Sequence, residues 1–462
     1  MDINQLSLER AAAQIRTRKI SAVELTRACL AQGERLQAPC NPFVILTADA
    51  ALKAARRADR EIARGGYRGP MHGIPVAIKD LCDIRGLPTS ASSKVRHDHT
   101  ASADSAVVAR LQDAGAVIIG KTHTHEFAYG VITPTTRNPW NSDHIPGGSS
   151  GGSGAAVAAA ACFGAIGTDT GGSIRIPAAL CGTVGLKPTY GRVSRVGITS
   201  LSWSLDHAGP LTRRVRDAAL MLNALAGFDA RDPGSAEVAV PDFLKGINRG
   251  VKGLRLGVPE NFYFDGIDSG VEASVGAAMQ QLRKLGAKLV PVQLPLAETY
   301  VGVEFGICLP EASAYHQQML RERGDLYNDD VRLFLEAGEL VPATDYIKAL
   351  RVRQKIKDAW CNMFRRIDAL LAPTVPATAA KVGQESFRWP TNIDEPVSSA
   401  YVRASCPANI TGLPAISIPC GFVGDLPVGM QILGRPFDEA TVLRIAQAYE
   451  TSTDWHKQTP PI

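Results

Sequence analysis

Histidine is scarce in this 462-residue chain, with nine present. Only His144 lies near either of its two serine-rich clusters, so a serine nucleophile driven by a neighbouring histidine has little support. Nine cysteines are spread singly from Cys29 to Cys420 without a C-x-x-C pair. That argues against a disulfide framework or a zinc ribbon and for buried thiols in a reducing, cytoplasmic setting. An excess of charge is also missing: 50 Lys and Arg against 45 Asp and Glu give a net charge of +5, too weak to imply nucleic acid or membrane partners. The longest small-apolar run, Ala155–Gly167, is too short to span a bilayer. The opening Met1–Gln5, with Asp2 and then Glu9 and Arg10, has no apolar core of the signal-peptide type. What remains, 45% hydrophobic and 21% charged residues, is the composition of an ordinary soluble globular chain.

Strand and helix patterns alternate. Ser21–Glu24 has the spacing of a capping box and opens a helix to about Leu36. A second helix over Asp49–Ala63 ends at Gly65-Gly66, and Ser105–Ala114 is a third. Short apolar runs predict buried strands at Ile74–Lys79, Ala116–Gly120, Leu254–Val258, Lys288–Val292, Ala369–Ala372, Ala415–Pro419 and Gly429–Leu433. Val271–Leu285 and Glu439–Thr451 predict amphipathic helices. The alternation predicts an α/β fold: a single large domain with a mixed, mostly parallel central sheet covered by helices on both faces. Within it we expect a helical segment 1–65, a core 66–226, a peripheral and largely helical region at about 260–367, and a return to the core over 368–462. The turn-rich stretch Gly227–Gly253 would separate core from periphery, and the helices of Glu298–Ile367 would cover the site. The last helical pattern near Thr451 leaves no expectation of an appended catalytic domain.

Two clusters stand out: Gly147-Gly148-Ser149-Ser150-Gly151-Gly152-Ser153-Gly154 and Thr168-Asp169-Thr170-Gly171-Gly172-Ser173-Ile174-Arg175. Glycine permits unusual dihedrals and close approach, and runs of it leave successive N–H groups free to bind an anion. Several familiar motifs fail on context. Gly115–Thr122 matches the phosphate-loop pattern, but its variable residues Ala-Val-Ile-Ile would themselves be a strand. Gly147-Gly148-Ser149-Ser150-Gly151 fits the nucleophile elbow, yet a loop precedes it, and His207 and His456 are isolated candidates for a partner. His123-Thr124-His125-Glu126 lacks a clear third metal ligand and reads as a polar loop after a strand. No S-x-x-K tetrad is present. Lys79 remains, at the end of an apolar run where burial would lower its pKa toward the basic form. A solvent-facing lysine at a strand end is the plainer reading of that residue taken alone.

The long block Gly147–Ala160, Gly167–Ala178 and Gly185-Leu186-Lys187-Pro188-Thr189 resembles the signature of the amidase signature family. Ile74–Asp80 is similar to that family's lysine segment. Asn409–Ala415 and Leu426–Gln431 resemble its C-terminal part, so the resemblance covers nearly the whole chain. It implies the family's fold, no metal and no cofactor, and a Ser–cis-Ser–Lys triad of Ser173 as nucleophile, Ser149 as relay and Lys79 as general base. The 24-residue separation of the two serines agrees with this. Ser150 is the less favoured relay, and the cis bond would be Gly148–Ser149. The resemblance implies backbone N–H groups of Thr170, Gly171, Gly172 and Ser173 around the oxyanion, and hydrolysis of a small-molecule amide through an acyl-enzyme.

Substrate contacts are expected at Tyr129, Gly130, Ile176 and Trp203, and an aromatic-lined pocket would favour apolar or aryl acyl groups. The chain also resembles the catalytic components of the glutamyl-tRNA amidotransferases in that family, glutaminases that pass ammonia to a partner. Arg353 falls at their glutamine-binding arginine. Val402, however, stands where their substrate-binding aspartate would be, and the residues after Glu311 do not supply their tyrosine. An α-ammonium would then lack its counter-charge, which favours a stand-alone amidase. A homodimer is common among resembling proteins. A non-catalytic scaffold with the same fold is a further alternative, which the intact trio Lys79, Ser149 and Ser173 argues against.

Overall fold

Thirteen strands account for the apolar runs and for several segments without an obvious strand pattern. They are β1 (Phe43–Leu46), β2 (Pro75–Lys79), β3 (Val117–Thr122), β4 (Gly164–Asp169), β5 (Val184–Lys187), β6 (His207–Thr212), β7 (Arg255–Pro259), β8 (Lys288–Val292), β9 (Ala369–Pro373), β10 (Ser386–Arg388), β11 (Asp394–Pro396), β12 (Ala415–Val423) and β13 (Leu426–Leu433). The computed structural model of the chain describes residues 6–462; Met1–Gln5, where no leader core is expected, lies outside the described residues. Eleven strands form one sheet in the order β1-β3-β2-β4-β6-β5-β12-β13-β9-β7-β8, and β10 pairs with β11 as a separate ribbon.

The sheet is mixed, as expected. Its parallel pairs lie in two blocks, β3–β2–β4 and β9–β7–β8, with an antiparallel middle between them. The parallel share is therefore narrower than strand–helix alternation predicts. A short turn at Gly424-Asp425 makes β12 and β13 a hairpin, and only antiparallel strands can be joined so tightly. Both faces are covered. Along β9, Ala369 and Leu371 enter one apolar core while Leu370 and Ala372 enter the other, the period of two that a strand imposes.

Helix boundaries follow their local signals. Ser21 Oγ accepts from Glu24 N (3.1 Å) while Glu24 Oε2 accepts from Ser21 N (2.8 Å), so the capping box forms at the start of Ala22–Gln37. The region expected to be helical folds as Tyr300–Arg323, Asp329–Glu339 and Ala343–Met363. The phosphate-loop look-alike is β3, and its Lys121 is paired with Asp80 at 2.7 Å in the interior.

Candidate active site

β2 and β4 are parallel neighbours, and their C-terminal ends carry the two segments that matter. Lys79, the last residue of β2, is fully buried. Its Nζ donates to Ser149 Oγ (2.7 Å), Thr168 Oγ1 (2.8 Å) and Ser150 Oγ (2.9 Å). Burial pushes its pKa down to about 7, against the opposing pull of Cys82, Asp169 and Asp206. This is the behaviour of a desolvated ammonium without a contacting carboxylate. The solvent-facing reading of Lys79 is therefore excluded.

The two serines next to Lys79 differ. Ser150 Oγ also donates to Thr168 O and accepts from Thr168 N, both at 3.2 Å, which ties it to β4. Ser149 is held by its backbone instead: its carbonyl accepts from His125 N (2.9 Å) and Thr133 Oγ1 (3.2 Å). Its hydroxyl is left to Lys79, and the Gly148–Ser149 peptide bond is cis. The second cluster meets the first where Ser150 N donates to Ser173 O (3.2 Å).

The loop bearing Ser173 is shaped by a buried ionic network that the sequence motifs contain without revealing its role. Asp169 accepts from Gly172 N (2.9 Å), Ile174 N (3.1 Å), Arg175 Nε and Nη2 (both 3.0 Å) and Asn409 Nδ2 (2.8 Å). Arg175 continues to Gln431 Oε1 and Ser405 O (both 2.9 Å). Burial alone would raise the Asp169 carboxyl, but the charge and hydrogen bonds of Arg175, with help from Lys187 and Asn409, hold it well below the usual carboxylate range. This geometry corrects one expectation. The Gly172 N–H, expected among the oxyanion donors, is engaged by Asp169, because the loop must fold back over that carboxylate. The N–H groups of Thr170, Gly171 and Ser173 are the available ones. Gly172 has φ +128°, and a side chain there would also collide with Ser405 Oγ, so glycine is required.

The residues expected to contact substrate are only partly gathered. Trp203, about half exposed, lines a cleft of about 200 Å³ with Thr168, Thr170, Arg195 and Asp206. Thr170 Oγ1 donates to Asp206 at 2.6 Å, tying this wall to the loop before Ser173. Tyr129 is buried against Phe334 (centroids 5.3 Å), and its hydroxyl has no partner among the described residues. Gly130 packs against the His125 ring. Ile176 is fully buried beside Gly172 in an apolar cluster with Val131, Ile145 and Tyr401. Arg353 donates to Ile410 O (2.8 Å) and Ser204 O (2.9 Å) and opens onto a different cavity with Tyr190 and Phe437. A larger cleft, about 520 Å³, lies by Arg57, His72 and Arg85 and contains none of these residues.

The isolated histidines do not form a triad. His207 is buried with Nδ1 2.6 Å from Leu205 O, and burial holds it well below its usual pKa. His125 of the look-alike metal motif lies 3.0 Å from Asp330, and no metal-binding group of His, Cys, Asp or Glu exists among the described residues. One residue escaped sequence reasoning entirely. Glu304 is buried on the helix Tyr300–Arg323, with Oε1 2.9 Å from where a Cβ of Gly171 would stand. Its only sequence signal is a carboxylate among Val303, Ile307 and Cys308 on the inward side of that helix.

Comparison with known proteins agrees with this geometry. The Amidase family model matches residues 24–443. A Pseudomonas putida protein named amidase is 52% identical over all of this chain and 98% of its own length. The GatA-type catalytic component of the glutamyl-tRNA(Gln) amidotransferase from Carboxydothermus hydrogenoformans is 40% identical over the whole of both chains. An inhibitor-bound structure, described as a vestigial protein complex revealing the origins of an s-triazine catabolic enzyme, superposes with a TM-score of 0.93. It shares 33% identity over 97% of this chain and 98% of its own. With a buried lysine held against paired serines and a family match along nearly its entire length, the chain belongs to the amidase family and is an amide-hydrolysing enzyme of the amidase signature type.

Proposed function

We propose that the chain cleaves a carboxylic amide C–N bond through an acyl-enzyme on Ser173, with Ser149 as relay and Lys79 as general base. The observation that carries this reading is the fully buried Lys79 Nζ, 2.7 Å from Ser149 Oγ, with its pKa lowered to about 7. In the neutral form Lys79 takes the proton of Ser149 as Ser149 takes that of Ser173. The freed Ser173 Oγ attacks the amide carbonyl. N–H groups of Thr170, Gly171 and Ser173 receive the developing oxyanion, each such donor contributing about 3 kcal/mol. The relay returns its proton to the leaving nitrogen, the C–N bond breaks, and the amine departs. Water then repeats the sequence on the ester, releasing the carboxylic acid.

Ser173→Ala is expected to abolish turnover of an amide panel while melting within a few degrees of the parent. A fluorophosphonate probe should label the parent at Ser173, and mass spectrometry of the adduct checks the site. Ordinary activity in the variant, or an adduct elsewhere, overturns the assignment.

A second reading, a glutaminase that passes ammonia to a partner, is favoured by the 40% identity to the amidotransferase component and by the position of Arg353. Val402 in place of an aspartate weighs against it. Glutamine hydrolysis that needs tRNA and a partner protein would establish it over the stand-alone enzyme. A reducing, cytoplasmic compartment is supported by nine cysteines, all of them free. Among the described residues no helix is long and apolar enough to cross a membrane.

A further inference from the structure

Glu304 and Glu311 lie about two turns apart on the same helix, yet their surroundings differ sharply. Glu311 accepts from Ser204 N (3.1 Å), Ser204 Oγ (2.5 Å), Tyr346 Oη (2.9 Å) and the Ser202 hydroxyl, and so tethers the Trp203 loop. Glu304 is 2% exposed, and its Oε2 has no hydrogen-bond partner among the described residues. A buried polar group is normally satisfied within the fold, so one left open beside a catalytic loop points to a ligand.

Its position gives the direction. A Cβ on Gly171 would stand 2.9 Å from Glu304 Oε1 and 3.4 Å from Val402 Cγ1. Gly171 is two residues before Ser173 and offers one of the N–H groups available to the oxyanion. The carboxyl of Glu304 therefore faces the space that the acyl part of a bound amide would enter. It also stands next to Val402, whose side chain offers no hydrogen bond. We propose that Glu304 is a specificity-determining residue that selects acyl groups bearing a second planar N–H/C=O function, a carboxamide or ureido group. Its O–H donates to the carbonyl and its C=O accepts from the N–H.

The protonation state fits that pairing. Burial drives the Glu304 carboxyl well above its ordinary pKa, and the nearby charges of Arg353 and Arg175 do not offset it. The site accordingly presents a neutral acid, a donor and an acceptor side by side. An ammonium ligand would need the ionised form and would stand in the field of Arg353, whose guanidinium is held close by through Ile410 O and Ser204 O. A simple alkyl or aryl acyl group would leave the carboxyl unpaired at a cost.

The inference rests on the Ser173 reading, and the test separates the two. kcat/KM is measured for succinamide and for 4-methylpentanamide, which has the same skeleton without the second amide, using the parent, Glu304→Gln and Glu304→Leu. The parent should prefer succinamide by about 100-fold, within the range a built hydrogen-bonding site achieves. Glu304→Gln, still a donor and an acceptor, should keep most of that ratio. Glu304→Leu should bring it near unity while melting no lower than the parent. A ratio unchanged in Glu304→Leu, or a lower melting temperature with both substrates lost together, makes Glu304 a structural residue and overturns the proposal. Preference for 4-aminobutanamide, abolished in Glu304→Gln, would replace it with recognition of a cation. A parent that takes up the fluorophosphonate at Ser173 but hydrolyses neither amide overturns this proposal alone. A parent that takes up no label loses the Ser173 reading and this one with it.

Discussion

Lys79 is where burial and nearby negative charge compete, and burial prevails, lowering its pKa to about 7. Two consequences carry opposite readouts. In catalysis the neutral form is the base, so kcat/KM should rise along a limb with a midpoint near pH 7. Lys79→Met should cost on the order of 10³-fold, within the range of general-base effects. In folding, the unfolded chain holds this proton to about pH 10.4 whereas the native state releases it near 7. Stability from this site should therefore rise between those values. Denaturant titrations at pH 7 and 10 should show the rise in the parent and its absence in Lys79→Met. An activity limb far above pH 7 would contradict the desolvated lysine. Lys79, Ser149 and Ser173 were legible in the sequence because they lie inside long, specific motifs. Glu304 was not, since its significance comes from a neighbour, Gly171, more than a hundred residues away.

At the scale of elements, the strand β4 and the loop that follows it depend on the Asp169–Arg175 pair at their junction. Both side chains are fully buried, with Arg175 Nη2 3.0 Å from Asp169 Oδ1. Removing one partner leaves an uncompensated charge, so Arg175→Met should destabilise by about 3–5 kcal/mol, while Asp169→Leu/Arg175→Met should recover much of that. Activity should fall in both, because only Asp169 holds the Gly172 N–H in place. Chemical denaturation checks the first statement and amide turnover the second. A double mutant as unstable as the single one would show that the network does more than neutralise charge. The strands leading into this junction were the least legible part of the fold. β4 is Gly-Ala-Ile-Gly-Thr-Asp and β6 is His-Ala-Gly-Pro-Leu-Thr, and neither carries the β-branched or alternating pattern that marks β3 or β7. Pro210 is tolerated in β6 because β5 pairs only with Leu211 and Thr212, so that ladder loses no bond at the proline. The burial that makes these segments strands comes from helices on both faces, information that a local window does not contain.

Across the whole molecule, the same rule that frees Lys79 acts on carboxylates where distant parts of the chain meet. Asp217, at the start of the helix Val215–Leu225, accepts from Leu8 N (3.0 Å) and Glu9 N (3.1 Å), holding the N-terminal helix to the core. Glu450, from the last long helix, accepts from Val215 N (2.9 Å). Burial raises Asp217 to about 6 and Glu450 to about 8, more than these N–H donors and the neighbouring arginines lower them. For an acid whose native pKa is raised, the native state binds more protons than the unfolded chain, so stability is full below the unfolded pKa and declines as pH rises through the native one. Glu450 should thus weaken the fold progressively between about pH 4.5 and pH 8, the opposite slope to that of Lys79 and in a lower window. Glu450→Gln keeps an acceptor for Val215 N and carries no charge. It should match the parent near pH 5 and exceed it near pH 9 by on the order of a few kcal/mol. Thermal melts of the two proteins across that range measure the difference directly, and a gap that does not widen with pH would mean that Glu450 is ionised in the native state throughout.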